Sequence, residues 1–266
     1  MWGYMRKLAL GTALSGALAL SALAVPSAQA LTPDITFSNV VVNSGKAITV
    51  GTTNTVTVPV TYTITRSADV QFADVNTTVL LYRGTSVATA ENILGPGGTP
   101  TCTAVDDTTQ NCTGDITIDP QYELFEAADA TTWKSVAEYE RTDGDGYDYV
   151  GRATPATATL KRAAKLTTNA TPEPVAKGKT LTVKGNLTRA NWATGSYSGY
   201  TSQSVTLQFK AAGSDTYTNV KTVTSGTAGA LSTTVTASVD GSYRYTFAGT
   251  STTAAKTSTA DFVDVQ

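Results

Sequence analysis

"TVTVPVTYTIT" (55–65) decides the fold class. Val56, Val58, Val60, Tyr62 and Ile64 fall on one face of an extended chain, and Thr57, Thr61, Thr63 and Thr65 on the other. A period of two is that of a strand with one buried and one solvated face, whereas a helix would repeat its apolar residues every three or four positions. Pro59 has no amide proton and sits on the threonine face, so an edge or a bulge is expected there. Strand-like runs recur at 35–42, 77–82, 115–119, 133–141 and 147–153.

A second series follows "ATLKRAAKL" (158–166). It places Leu181, Val183 and Leu187 on one face at 180–187, and Val205, Leu207 and Phe209 at 204–209. Further runs lie at 217–223, 231–237, 243–247 and 261–265, and only "PQYELFEAADA" (120–130) reads as a helical turn. Short strands punctuated by Gly, Asn, Asp and Pro predict an all-β chain of antiparallel sandwiches, and two series predict two of them. The boundary is expected near Ala163, with residues 31–163 and 164–266 folding independently. Asp129 precedes Trp133 in the first half, and Asp240 precedes Tyr243 in the second. An aromatic ring entering a strand just after an acidic corner points to immunoglobulin-like sandwiches in tandem.

The segments "KLTTNATPEPVAKGKTLTVKGNLTRANW" (165–192) and "YRYTFAGTSTTAAKTSTADFVDVQ" (243–266) resemble the C-terminal half of a group of secreted actinobacterial proteins with bacterial immunoglobulin-like domains. The likeness covers the second half. The first half is similar more loosely, through its N-terminal segment, a cysteine-bounded loop and a tryptophan strand. The resemblance implies the fold and an extracellular location, and no established activity. Some relatives are labelled calcium-binding, but no residue-level motif comes with that label.

The N-terminus reads as a processing segment. Arg6 and Lys7 precede an uncharged apolar run from Leu8 to Val25, and Ala28-Gln29-Ala30 forms a small-x-small cleavage site, so residues 1–30 are expected to be a signal peptide. Met5 is an alternative start to Met1. The last residues, Phe262-Val263-Asp264-Val265-Gln266, form no hydrophobic stretch long enough to span a membrane, so a soluble exported chain is expected. A secreted mature chain of 236 residues carries 17 basic and 21 acidic side chains, a net charge of −4, which argues against nucleic acid as a partner.

The chain has no histidine, so Ser-His-Asp and Cys-His catalysis and imidazole metal sites are absent. Cys102 and Cys112 are the two cysteines, spaced for a disulfide in an oxidising compartment. Glu138 and Glu140 share a strand face, which for neighbouring acids is ordinarily the solvated side, so no catalytic pair is assigned and no enzyme is expected. Trp192, Tyr197 and Tyr200 lie in "ANWATGSYSGYTS" (190–202), where rings on a surface loop would stack on sugars; the alternative is that Trp192 caps the core.

"DGDGYDYV" (143–150) offers Asp143, Asp145 and Asp148 as calcium ligands, but neither EF-hand register fits, and a hairpin tip accounts for its Asp-Gly pairs. The function expected is a non-enzymatic binding or structural protein at the cell envelope or in the extracellular space. Its partner would be an extracellular protein or polysaccharide. The alternatives are a carbohydrate-binding module and a calcium-dependent binder, with no other cofactor.

Overall fold

The computed structural model describes residues 35–143 and 146–266, apart from the side chains of 141–149; the expected signal peptide lies outside the described residues. The first sandwich uses nine strands: β1 (Ile35–Val42), β2 (Ile48–Val50), β3 (Val56–Arg66), β4 (Val75–Arg83), β5 (Asn92–Leu94), β6 (Thr101–Ala104), β7 (Thr109–Ile118), β8 (Thr132–Asp143) and β9 (Gly146–Arg162). One sheet has the order β1-β3-β7-β6 and the other β2-β9-β8-β4-β5. All pairings are antiparallel except β2 with β9. Named in chain order, these are the A-B-E-D sheet and the G-F-C sheet of an immunoglobulin-like domain, the latter extended by an edge strand on each side.

The alternation at 55–65 does what its period requires. Val58, Val60, Tyr62 and Ile64 are buried, while Thr57 and Thr61 are exposed. Pro59 lies in an interior strand, opposite Asp115 of β7. The ladder from β1 runs from Arg66 back to Val60 and stops there, so the first part of β3, from Val56 to Pro59, is an edge on that side, which is where a residue without an N–H is tolerated. Trp133 is fully buried on β8. Burial of a large side chain of this kind contributes about 1.5–3 kcal/mol. The helical turn expected at 120–130 appears as two short turns: Glu123 N donates to Asp119 O at 2.9 Å, and Ala127–Asp129 form a 3-10 turn.

The acidic corner is built from backbone as much as from ring packing. Trp133 Nε1 donates to the Asp129 carbonyl at 2.9 Å. The Asp129 carboxylate, fully buried, accepts from the amides of Phe125 and Glu126, from Asn92 Nδ2 and from Arg83 Nε at 2.9–3.2 Å. Arg83 also pairs with Glu91 and Glu126. Cys102 and Cys112 are joined, directly opposite each other on β6 and β7. The bridge therefore staples an edge strand within one sheet and does not link the two sheets, as it does in antibody domains.

The second sandwich comprises β10 (Ala164–Leu166), β11 (Asn169–Thr171), β12 (Thr180–Asn191), β13 (Ser196–Gly199), β14 (Ser204–Ala211), β15 (Thr218–Thr224), β16 (Ala230–Thr236), β17 (Gly241–Phe247), β18 (Lys256–Thr257) and β19 (Asp261–Val263). β12 gathers β10, β11, β13 and β16 into one sheet; β15-β14-β17 carries β18 and β19 on the far side of the other. Tyr243 is buried after its acidic corner, but the ring that ties the sheets together is Tyr245, whose hydroxyl donates to the Val183 carbonyl at 2.9 Å. Gly185 makes room for it, since a Cβ there would press on the Tyr245 ring and collide with the Thr167 carbonyl.

Each sandwich has its own core, yet the first core takes Ala190 and Trp192 from the second half. The junction is bonded throughout. Ala163 N donates to Val50 O, Ala190 N to Ala163 O, Arg162 N to Thr252 O and Ala254 N to Arg162 O, all at 2.8–3.0 Å.

Candidate functional site

Where the sandwiches meet, both contribute to an open cleft of about 570 Å³. The first sandwich supplies Gly45 to Ala47, Ala130 to Thr132 and residues of β9 from Thr157 to Lys161. The second supplies Ser251 and Thr252. The turn before β2 is the unusual piece. Asn43, Ser44 and Gly45 have φ of 48°, 52° and 72°, three successive residues in the left-handed region. Such conformations are uncommon outside glycine and persist only where surrounding bonds impose them. Here Asn43 Nδ2 donates to the carbonyls of Lys46 and Ala47 at 2.9 and 3.3 Å, which holds the loop that carries Lys46 to the cleft.

On the opposite wall, Thr132 and Thr159 face each other across β8 and β9 with their hydroxyls 3.2 Å apart. Lys161 Nζ donates to the Thr250 carbonyl at 2.8 Å. That carbonyl belongs to a tight turn in which Thr250 Oγ1 accepts from the amides of Thr252 and Thr253 at 3.2 and 3.1 Å. The lining therefore holds two ammonium groups and six hydroxyl side chains (Thr131, Thr132, Thr157, Thr159, Ser251, Thr252), with no carboxylate. Small apolar ligands are served by apolar pockets with a few polar groups. This cleft is the reverse, suited to a hydroxyl-rich or anionic ligand.

The residues proposed from sequence do not form one site. Trp192 is buried in the first core, its Nε1 donating to Gly51 O at 2.8 Å and its ring stacked 5.5 Å from the Arg162 guanidinium. Tyr197 is half-buried against the same core, under Lys165 Nζ at 3.8 Å, and burial raises its phenol pKa. Tyr200 packs on the other core, edge-on to Phe247 at 5.8 Å and covered by Arg189 at 3.9 Å. A stacking platform needs exposed, roughly coplanar faces. These rings serve two cores and have cations over them, so the platform is replaced by the capping role. Trp192 starts a 3-10 turn, Trp192–Thr194, and β13 follows after Gly195, so of the surface loop expected at 190–202 only the part from Tyr200 on is irregular.

The side chains of Asp143, Asp145 and Asp148 lie outside the described residues; the last described pair of the β8–β9 hairpin is Asp143↔Gly146. Among the described residues no group of three Cys, Asp or Glu side chains gathers as a metal site. Glu138 and Glu140 stand beside Asn76 and Thr78 in a second open cleft of about 430 Å³. Glu138 is only 6% exposed, which departs from the solvated face expected of it. Sequence reasoning missed Lys46, Lys161, Ser251 and Thr252. The polar turn "NSGK" (43–46) was visible, but nothing local says that it faces residues some 200 positions away.

No helix among the described residues is long and apolar enough to cross a membrane. No family model matches the chain, and no curated protein matches it. Among solved structures, it is similar to a chimeric titin Z1Z2 tandem at 14% identity and a TM-score of 0.27, covering 83% of this chain and 95% of that one. It is also similar to a marsupial T cell receptor at 12% identity and a TM-score of 0.30, covering 87% of this chain and 72% of that one. The full ectodomain of mouse nectin-like molecule 4 matches at 11% identity and a TM-score of 0.25, covering 87% of this chain and 64% of that one. Scores of this size carry no argument about function; the immunoglobulin-like architecture rests on the strand order itself.

Proposed function

We propose that the chain is an exported, non-enzymatic binding protein that holds a hydroxyl-rich or acidic saccharide in the cleft between its two sandwiches. The observation that carries the reading is the cleft's lining of two lysines and six hydroxyl side chains, drawn from both halves of the chain. Its walls are preorganised. The left-handed turn at 43–45 is held by Asn43, the turn at 250–253 by Thr250, and the junction backbone bonds fix the two sandwiches to each other. A site that need not reorder on binding keeps more of its contact energy as affinity. Export is supported by the N-terminal pattern and by the disulfide, which is a feature of oxidising compartments.

A glycan array with neutral and uronic-acid oligosaccharides tests this, followed by calorimetry on the best binder. Lys46→Ala and Lys161→Ala are each expected to weaken binding roughly ten-fold or more, the scale of a lost hydrogen bond to a charged group. Lys184→Ala, remote from the cleft, serves as the control. Binding that both cleft variants leave intact, or no glycan binding at all, sinks the assignment.

A further inference from the structure

Charge is divided unevenly along this chain. Residues 34–163 carry sixteen acidic and eight basic side chains, a net −8, and residues 164–266 carry five acidic and nine basic, a net +4. Between residues 84 and 133 there are eight carboxylates and no lysine or arginine at all. The sequence average of −4 conceals two opposite poles.

Among the described residues the fold leaves all of these charges except Asp129, Glu138 and Arg162 at least partly exposed. In the first sandwich, Arg66 gathers the loops at one end, donating to the carbonyls of Ser67, Ala68 and Asp107, and Asp69, Asp74 and Asp107 stand exposed around it. At the other end a single guanidinium, Arg83, serves three carboxylates, so that cluster is also net negative. Beside it Tyr122 and Phe125 are 77% and 59% exposed.

In the second sandwich Lys184 projects from β12 on one sheet and Lys221 from β15 on the other, both exposed. Lys210 and Arg244 both lie over the Tyr217 ring, at 5.4 and 3.6 Å from its centre. Among the described residues, none of the nine cations from Lys165 to Lys256 lies within ion-pair distance of a carboxylate. Phe262 is 52% exposed on the same sandwich.

We propose that two copies of this chain associate through opposite poles, the acidic first sandwich of each against the basic second sandwich of the other. Complementary potentials steer association and set orientation. Every copy carries both poles, so one two-fold axis makes the contact twice and closes the pair. A free polyanion would neutralise the basic pole and leave the −8 pole uncompensated, whereas a second copy answers both. None of Asp69, Asp74, Asp107, Lys184 and Lys221 lines the saccharide cleft, so the two readings are tested separately.

Sedimentation velocity on the mature chain decides the matter at about 20 mM and about 500 mM salt, where the screening length is roughly 20 Å and roughly 4 Å. The expected result is the mass of two chains in the first buffer and of one in the second. Two surface variants sharpen it: Asp69→Lys/Asp74→Lys/Asp107→Lys, which cuts the acidic pole from −8 to −2, and Lys184→Glu/Lys221→Glu, which brings the basic pole from +4 to zero. Each alone is expected to remain a single chain at low salt, and an equal mixture to form a mixed pair. A single chain at low salt for the natural protein overturns the proposal, as does a pair indifferent to salt or a ladder of larger species. Retention on immobilised polyphosphate without self-association overturns it in favour of a polyanion partner.

Discussion

Trp192 reaches 141 positions back along the chain to donate to Gly51, and its ring fills the first core from the second half. Its removal therefore acts on a sandwich to which it does not belong in sequence. Trp192→Ala is expected to cost about 3–5 kcal/mol, the usual penalty for emptying a large aromatic site. Urea unfolding followed by Trp133 fluorescence would register the loss in the first sandwich; an unchanged midpoint would refute the plug. Tyr245 gives a second test at this scale. Burial pushes its phenol from the usual value near 10 up to about 12. The neutral form is favoured by folding, so the stabilisation is complete below pH 10 and is lost as pH rises from 10 through 12. Tyr245→Phe should flatten that alkaline decline while lowering stability at neutral pH by about 1–3 kcal/mol, because the Val183 carbonyl is left without its donor.

β6 is a four-residue edge strand held to β7 by a short ladder and by the Cys102–Cys112 bridge. Closing a loop of this length stabilises by about 3 kcal/mol in the chain-entropy model. In a Cys102→Ala/Cys112→Ala variant, amide exchange is expected to rise across 101–104 and 109–113. Residues 115–117 should change little, because Gly97 N and Gly95 O bond to that part of β7 independently. Uniform exchange along all of β7 would contradict this. The β8–β9 hairpin raises a different question, since Asp143, Asp145 and Asp148 belong to its end. A hairpin tip explains the Asp-Gly pairs by turn chemistry alone. Calcium is accordingly expected to bind no tighter than millimolar at moderate salt and to leave the melting temperature unchanged; micromolar affinity abolished by Asp145→Ala would make it a true ligand.

At the scale of the molecule, the junction decides whether two sandwiches behave as one body. A free linker near Ala163 would invite proteolysis and separate unfolding, as the sequence leads one to expect. Instead the backbone from Arg162 to Ala163 is bonded to Val50, Thr252, Ala190 and Ala254. The chain from residue 35 on is expected to unfold in a single calorimetric transition, and Trp192→Ala to split it into two. Two transitions in the natural protein would restore independent halves. Rigidity at the junction also bears on binding, since the proposed cleft exists only while Lys46 and Thr252 keep their places on its two walls.

Strand positions, the all-β class and the disulfide were legible because they depend on local order: a period of two, turn residues between runs, two cysteines ten residues apart. "TVTVPVTYTIT" needed no partner to declare its buried face. Short strands such as β2, β5 and β6 escaped notice because three or four residues hold too little alternation to read. The acidic corner was visible at Asp129 and Trp133, yet the carboxylate's four donors come from Arg83, Asn92, Phe125 and Glu126, two of them far off in sequence. Trp192 shows the limit most clearly. In one dimension it sits among glycines and serines like a ring on a loop, and only the meeting of two sandwiches buries it against Gly51 and Arg162. A side chain's chemistry is written in its own atoms, but its exposure depends on what the folded chain brings against it, and that was decided by tertiary structure.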